Sequence, residues 1–200
     1  MLQSKTAVRF ALVCMGLAPL GCGSVDGSHE ESRSEASAAE SLSLRSSPSL
    51  PSPTLAVPEG NRLEFFHDAV GVQIYACQAA ANGYAWTFLA PEASLFDCRG
   101  KVVVSHYAGP TWKSVTDESS VVAAKVAGFT DDPSAIPELL LEATSHEGKG
   151  RMADVTYIQR LETTGGLAPS SGCDAEHVGD LARVDYTATY YFYRALSHRK

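Results

Sequence analysis

The densest chemistry in the sequence lies in the stretch His-Tyr-Ala-Gly-Pro-Thr-Trp, from His106 to Trp112. An imidazole, a phenol and an indole stand around a Gly-Pro break. A histidine can carry a proton, orient a hydroxyl or bind a metal. Tyrosine and tryptophan present flat apolar bodies with a polar tip, and such rings stack on sugars and other planar groups. His106, Tyr107 and Trp112 are therefore the candidate walls of a shallow pocket for a small molecule or a glycan. Lys125, set in Val-Val-Ala-Ala-Lys-Val-Ala-Gly, joins them as an inward lysine. The competing reading is packing. Gly109 and Pro110 end a strand and turn the chain, the rings fill a core, and Lys125 guards a sheet edge.

Enzymatic chemistry would draw on other groups. His67, His106 and His146 each stand near the end of a strand-like run. If those ends converged, three imidazoles would suit zinc or copper, in a hydrolase or a metal-dependent oxidoreductase. No H-x-H or H-E-x-x-H pair supports this metal alternative. No G-x-S-x-G nucleophile turn occurs, and no Gly-rich fingerprint joins a strand to a helix. The sequence indicates no cofactor and no named catalytic residue. The formal net charge is -7, and no run of Lys or Arg makes a basic patch. A nucleic-acid partner would need one.

The elements that must position these groups are strands. In Val-Gly-Val-Gln-Ile-Tyr-Ala, alternation puts Val70, Val72, Ile74 and Ala76 on one side. Asn82-Gly83 is a strong tight-turn signal before a second strand rich in aromatic and β-branched residues. Arg99-Gly100 opens a third, Lys101 to Tyr107. Further strands are expected at Ser120–Phe129, at Pro137–Glu147 paired with Ala153–Thr163 across Gly148–Gly150, and at Ala182–Arg194. In the last, Val184, Tyr186, Ala188, Tyr190 and Phe192 alternate with more polar residues. Short helical turns fit Asp132–Pro137 and Asp174–Asp180. Many short strands without βα alternation predict an all-β antiparallel sandwich, with a barrel-like closure as the alternative.

The chain divides into three parts. Residues 1–21 carry Lys5 and Arg9 before an apolar run too short to span a bilayer, as export signals do. Leu-Gly-Cys ending at Cys22 resembles the lipobox of bacterial lipoproteins, though Pro19 replaces the usual aliphatic residue three places earlier. Cys22 is thus the candidate for acylation, which anchors a protein to a membrane without spanning it. Residues 22–56 are rich in Ser, Glu and Pro and read as a disordered tether. Residues 57–200 form a single β domain. The product is an exported protein, in the cell envelope or secreted. Three readings follow: a small-molecule or glycan-binding module first, a hydrolase or metal-dependent enzyme second, and a surface protein docking through its tyrosine-rich last strand third.

Past the signal and Cys22, the cysteines are Cys77, Cys98 and Cys173, and spacing leaves all three single pairings open. The segments Gly-Val-Gln-Ile-Tyr-Ala-Cys-Gln, His-Tyr-Ala-Gly-Pro-Thr-Trp, Val-Thr-Tyr-Ile-Gln-Arg-Leu-Glu-Thr-Thr-Gly-Gly and Gly-Cys-Asp resemble a family of exported bacterial and fungal proteins. That family is defined only as a domain of unknown function. The resemblance covers nearly all of the domain and none of the tether. It implies export, a compact domain and a Cys77–Cys173 disulfide, since relatives carry cysteine at both places. It leaves Cys98 over, free or available to another chain.

Overall fold

The computed structural model describes residues 48–196. The expected export signal and Cys22 lie outside them. Eight strands follow one another, each antiparallel to the next, and the last pairs with the first. They are β1 (Asn61–Ala80), β2 (Gly83–Phe96), β3 (Val102–Tyr107), β4 (Thr111–Ser114), β5 (Ser120–Phe129), β6 (Glu138–Glu147), β7 (Val155–Gly165) and β8 (Leu181–Ala195). The all-β antiparallel class is as expected, and of its two arrangements the sheet takes the barrel-like one. Closure runs along the β1–β8 ladder, from Asn61 opposite Ala195 to Ala76 opposite Leu181. A sheet closed this way has no free edge to protect.

Local chemistry explains most of the turns. The β1–β2 connection is two residues, Ala81 and Asn82, with Gly83 already opening β2 opposite Ala80. The expected Asn82-Gly83 turn is therefore shifted by one residue. The segments Asp132–Pro137 and Asp174–Asp180 form turns and bends, and the helical turn that does form is a 3-10 turn at Pro53–Leu55. β1 and β2 approach closely at Gly71, where a Cβ would clash with the Glu92 carbonyl oxygen.

Paired residues share a face. In β8 the even-numbered residues point inward, and Tyr186, Tyr190 and Phe192 fill the barrel with Trp112 and Ile158. In β1 the inward set is His67, Ala69, Gln73 and Tyr75, while Val70 is exposed. The more aliphatic side of this strand thus faces out at Val70. One end of the barrel is closed by the β6–β7 connection. There Met152 is fully buried, its N–H donates to Ser119 Oγ, and the Arg151 guanidinium lies 4.0 Å above the Phe65 ring.

A second cluster lies on the outside. Leu140, Leu161, Tyr191 and Tyr193 are covered by Leu55, which is completely buried. The Leu55 carbonyl accepts from Gln159 Nε2 at 2.6 Å. Residues 48–56 were expected to end the tether, and instead lie packed on the barrel. The tyrosines of β8 form no exposed ridge: Tyr186 and Tyr190 are inside the barrel, and Tyr191 and Tyr193 lie under this strap. Cys77 and Cys173 form a disulfide, which fits an oxidising compartment. Cys98 is disulfide-bonded as well, so it is not left over as a free thiol. No helix among the described residues is long and apolar enough to cross a membrane.

Candidate functional site

Eight-stranded barrels are just wide enough to be filled by side chains or to hold one small ligand. This one does both. Beyond the aromatic filling, a cavity of 200 Å³ opens beside the β3–β4 turn at Gly109 and Pro110. Its polar lining comes from Gln73 of β1, His106 of β3, Trp112 of β4, Lys125 of β5, Arg160 of β7 and Tyr190 of β8. Phe88, Leu89 and Pro91 of β2 and Leu139 and Leu141 of β6 give it apolar walls. At this point of β2 the register slips: Ile74 pairs with Ala90, Tyr75 with Phe88, and Leu89 is the extra residue. The bulge leaves Phe88 and Leu89 half-exposed at the cavity.

The ladder explains why the His106–Trp112 stretch contributes two walls. His106 and Trp112 are register partners across the tight turn, so both point inward. Their rings stack at 4.2 Å with planes 11° apart, and Tyr190 meets both edge-on. Tyr107, one residue on, points to the outer face and is 40% exposed. It is not part of the cavity. His106 donates from Nδ1 to the Thr111 carbonyl at 2.9 Å, which leaves Nε2 as the unprotonated acceptor nitrogen. Desolvation by burial lowers its pKa to about 3, and the Arg160 charge pushes the same way. The ring is neutral at physiological pH.

Lys125 reaches the cavity because Gly128 leaves it room. A Cβ at Gly128 would lie 3.0 Å from Lys125 Nζ and 3.2 Å from Leu139 Cδ2. Arg160 is placed by its register with Leu139 on one side and Tyr190 on the other, and its Nη2 donates to the Pro137 carbonyl at 2.7 Å. Three lining residues carry a buried N–H that meets no acceptor of the protein: Gln73 Nε2, Trp112 Nε1 and Arg160 Nε.

The structure brings His106, Trp112 and Lys125 to one cavity and keeps Tyr107, His67 and His146 away from it. His67 is buried opposite Tyr190, with Nδ1 3.1 Å from the Phe96 carbonyl oxygen. Burial, then the Arg151 charge, lowers its pKa. His146 lies three strands from His106 along one register row, about 14 Å of sheet. Its Nε2 is 2.7 Å from the Val155 carbonyl oxygen. Each of the three imidazoles thus spends a nitrogen on a different backbone carbonyl. Among the described residues, no group of three or more His, Cys, Asp or Glu is placed to hold a metal ion. His146 lines a separate groove beside Arg62 and Arg194. Both arginines there are already matched by Glu64, at 3.3 and 2.9 Å.

The sequence reading missed Gln73 and Arg160. Gln73 sits in a run of Val, Ile and Tyr, where a polar residue with its side chain inward would have been a signal. Arg160 sits in Tyr-Ile-Gln-Arg-Leu, where the β7 register alone decides that it points inward. No curated protein matches this chain, and no solved structure does. Residues 58–194, nearly the whole barrel, match the model of a family described as protein of unknown function (DUF3455), and the chain belongs to that family.

Proposed function

We propose that this protein is an exported binding module that holds one small molecule inside its barrel. The observation that carries the reading is the 200 Å³ cavity, apolar on two walls and lined elsewhere by a few convergent polar groups. Small-molecule sites have this composition. A cavity of about 150 Å³ is enough to admit benzene, so the occupant is a compact molecule. A glycan is the poorer fit. Trp112 is only 1% exposed and its face is already taken by His106, so it offers no open platform for a sugar. Export completes the proposal. The Cys77–Cys173 bridge supports an oxidising location.

The test is a thermal-shift screen of small metabolites against the wild-type protein and a Leu139→Trp variant, whose indole fills the cavity. At least one compound should raise the melting temperature of the wild type and leave the variant unmoved. A panel that shifts neither protein, or shifts both equally, would count against the cavity as the receptor.

A further inference from the structure

Resting on that reading, we propose that the ligand is a small organic acid. It has a compact apolar body, about the size of a substituted benzene ring, and one carboxylate that engages Gln73, Trp112, Arg160 and Lys125. The lining carries no Asp or Glu. Its charges are the cations Lys125 and Arg160, in a chain whose net charge is -7. The balance inside the cavity is therefore opposite to that of the molecule as a whole.

The unmatched hydrogen-bonding groups point the same way. The buried atoms without partners on the lining are Gln73 Nε2, Trp112 Nε1 and Arg160 Nε, all donors. Gln73 and Trp112 are 3% and 1% exposed. An indole and a guanidinium have no acceptor to offer in any orientation. Leaving such donors unpaired is costly, and a carboxylate has acceptor sites for several N–H groups at once. A cationic ligand would meet like charge from Lys125 and Arg160 and would leave the donors unmatched. A neutral one would forgo the charge-assisted bonds that these groups make to an anion.

The apolar side of the cavity fixes the rest of the ligand. Phe88, Leu89, Pro91, Leu139 and Leu141 leave its body no hydrogen-bond partners from side chains. The small volume excludes a long chain. Lys125 is held at the edge of this apolar wall, since its Nζ lies where a side chain on residue 128 would stand, next to Leu139 Cδ2. The acid thus finds its charge partner and its apolar contact side by side.

The chain has two tryptophans. A Trp86→Phe background leaves Trp112, in the cavity wall, as the sole tryptophan, and its indole can be excited selectively over the tyrosines. Titrations would use benzoate, phenylacetate and hexanoate as acids, benzamide and benzyl alcohol as neutral analogues, and benzylamine as the cation. The acids should perturb Trp112 emission and bind at least about tenfold tighter than the neutral analogues, the usual worth of a charge-assisted hydrogen bond. Lys125→Met, at an exposed position, should weaken benzoate by about tenfold and leave benzyl alcohol unchanged. Equal binding by the neutral analogues, or tighter binding by benzylamine, overturns the carboxylate assignment while the cavity remains a receptor. If no probe binds at millimolar concentration, both the assignment and the receptor reading fall.

Discussion

His106 stacks on Trp112, gives its Nδ1 proton to the Thr111 carbonyl and has no carboxylate beside it to hold a second proton. Its folded-state pKa, about 3, lies well below the ordinary imidazole value of 6.5. In the unfolded chain the ring takes up a proton as pH falls through 6.5, and in the barrel it does not. The unfolded state therefore binds more protons between those two values. The stability due to neutral His106 is complete above about pH 6.5 and is lost progressively as pH falls towards 3. Between pH 7 and pH 5 the loss is about 2 kcal/mol. His67, also lowered by burial, contributes with the same sign. Urea denaturation of wild type and His106→Asn at both pH values tests this. The variant should be less stable at pH 7 and should lose less on acidification, and equal losses in the two proteins would refute the assignment. At this scale the sequence was informative about residue type but not about environment. His106 and Trp112 stand out as chemistry, yet only their register shows that each is the other's stacking partner.

The elements divide into those that local pattern dictates and those that it does not. Alternation in β8 predicts Tyr186, Tyr190 and Phe192 as one face, and they fill the barrel. Alternation in β1 is a poorer guide, because apolar residues occur on both faces and Val70 ends outside. The strap was illegible for a related reason. Ser-Pro-Thr-Leu-Ala has a spacer's composition, and only the presence of Leu140, Leu161, Tyr191 and Tyr193 on the outer face gives Leu55 somewhere to go. That burial makes a clear prediction. Leu55→Ala should destabilise the barrel by about 2–5 kcal/mol, the usual cost of emptying a buried leucine site. A chain beginning at Pro58 should be at least as unstable relative to one beginning at Pro48, because it also strips Gln159 Nε2 of its acceptor. Urea midpoints of the three proteins decide it, and a strap that merely rests on the surface would leave them all alike.

For the whole molecule the decisive event is closure. Seven of the neighbouring strand pairs are sequential, but β1 and β8 come from opposite ends of the domain and must find each other. No local motif announces that pairing, which is why the sequence left sandwich and barrel both open. The Cys77–Cys173 bridge acts at this seam. Cys173 lies in the segment between β7 and β8, and the ends of β1 and β8 are joined there by two backbone bonds, Cys77 N–H to the Asp180 carbonyl and Gly179 N–H to the Cys77 carbonyl. The bridge spans 96 residues of sequence. A loop near that length is worth up to about 4.7 kcal/mol through the entropy of the unfolded chain, and measured values are commonly about 2–4 kcal/mol. A Cys77→Ala, Cys173→Ala double variant isolates this bridge from the one at Cys98. It should lose stability in that range, and its amides at Cys77 and Gly179 should exchange with solvent faster while those of β3 and β4 keep their protection. Because Gln73 of β1 and Tyr190 of β8 both line the cavity, loosening the seam should also weaken whatever binds there. A uniform rise in exchange around the barrel would mean that the bridge stabilises the fold without guarding its closure.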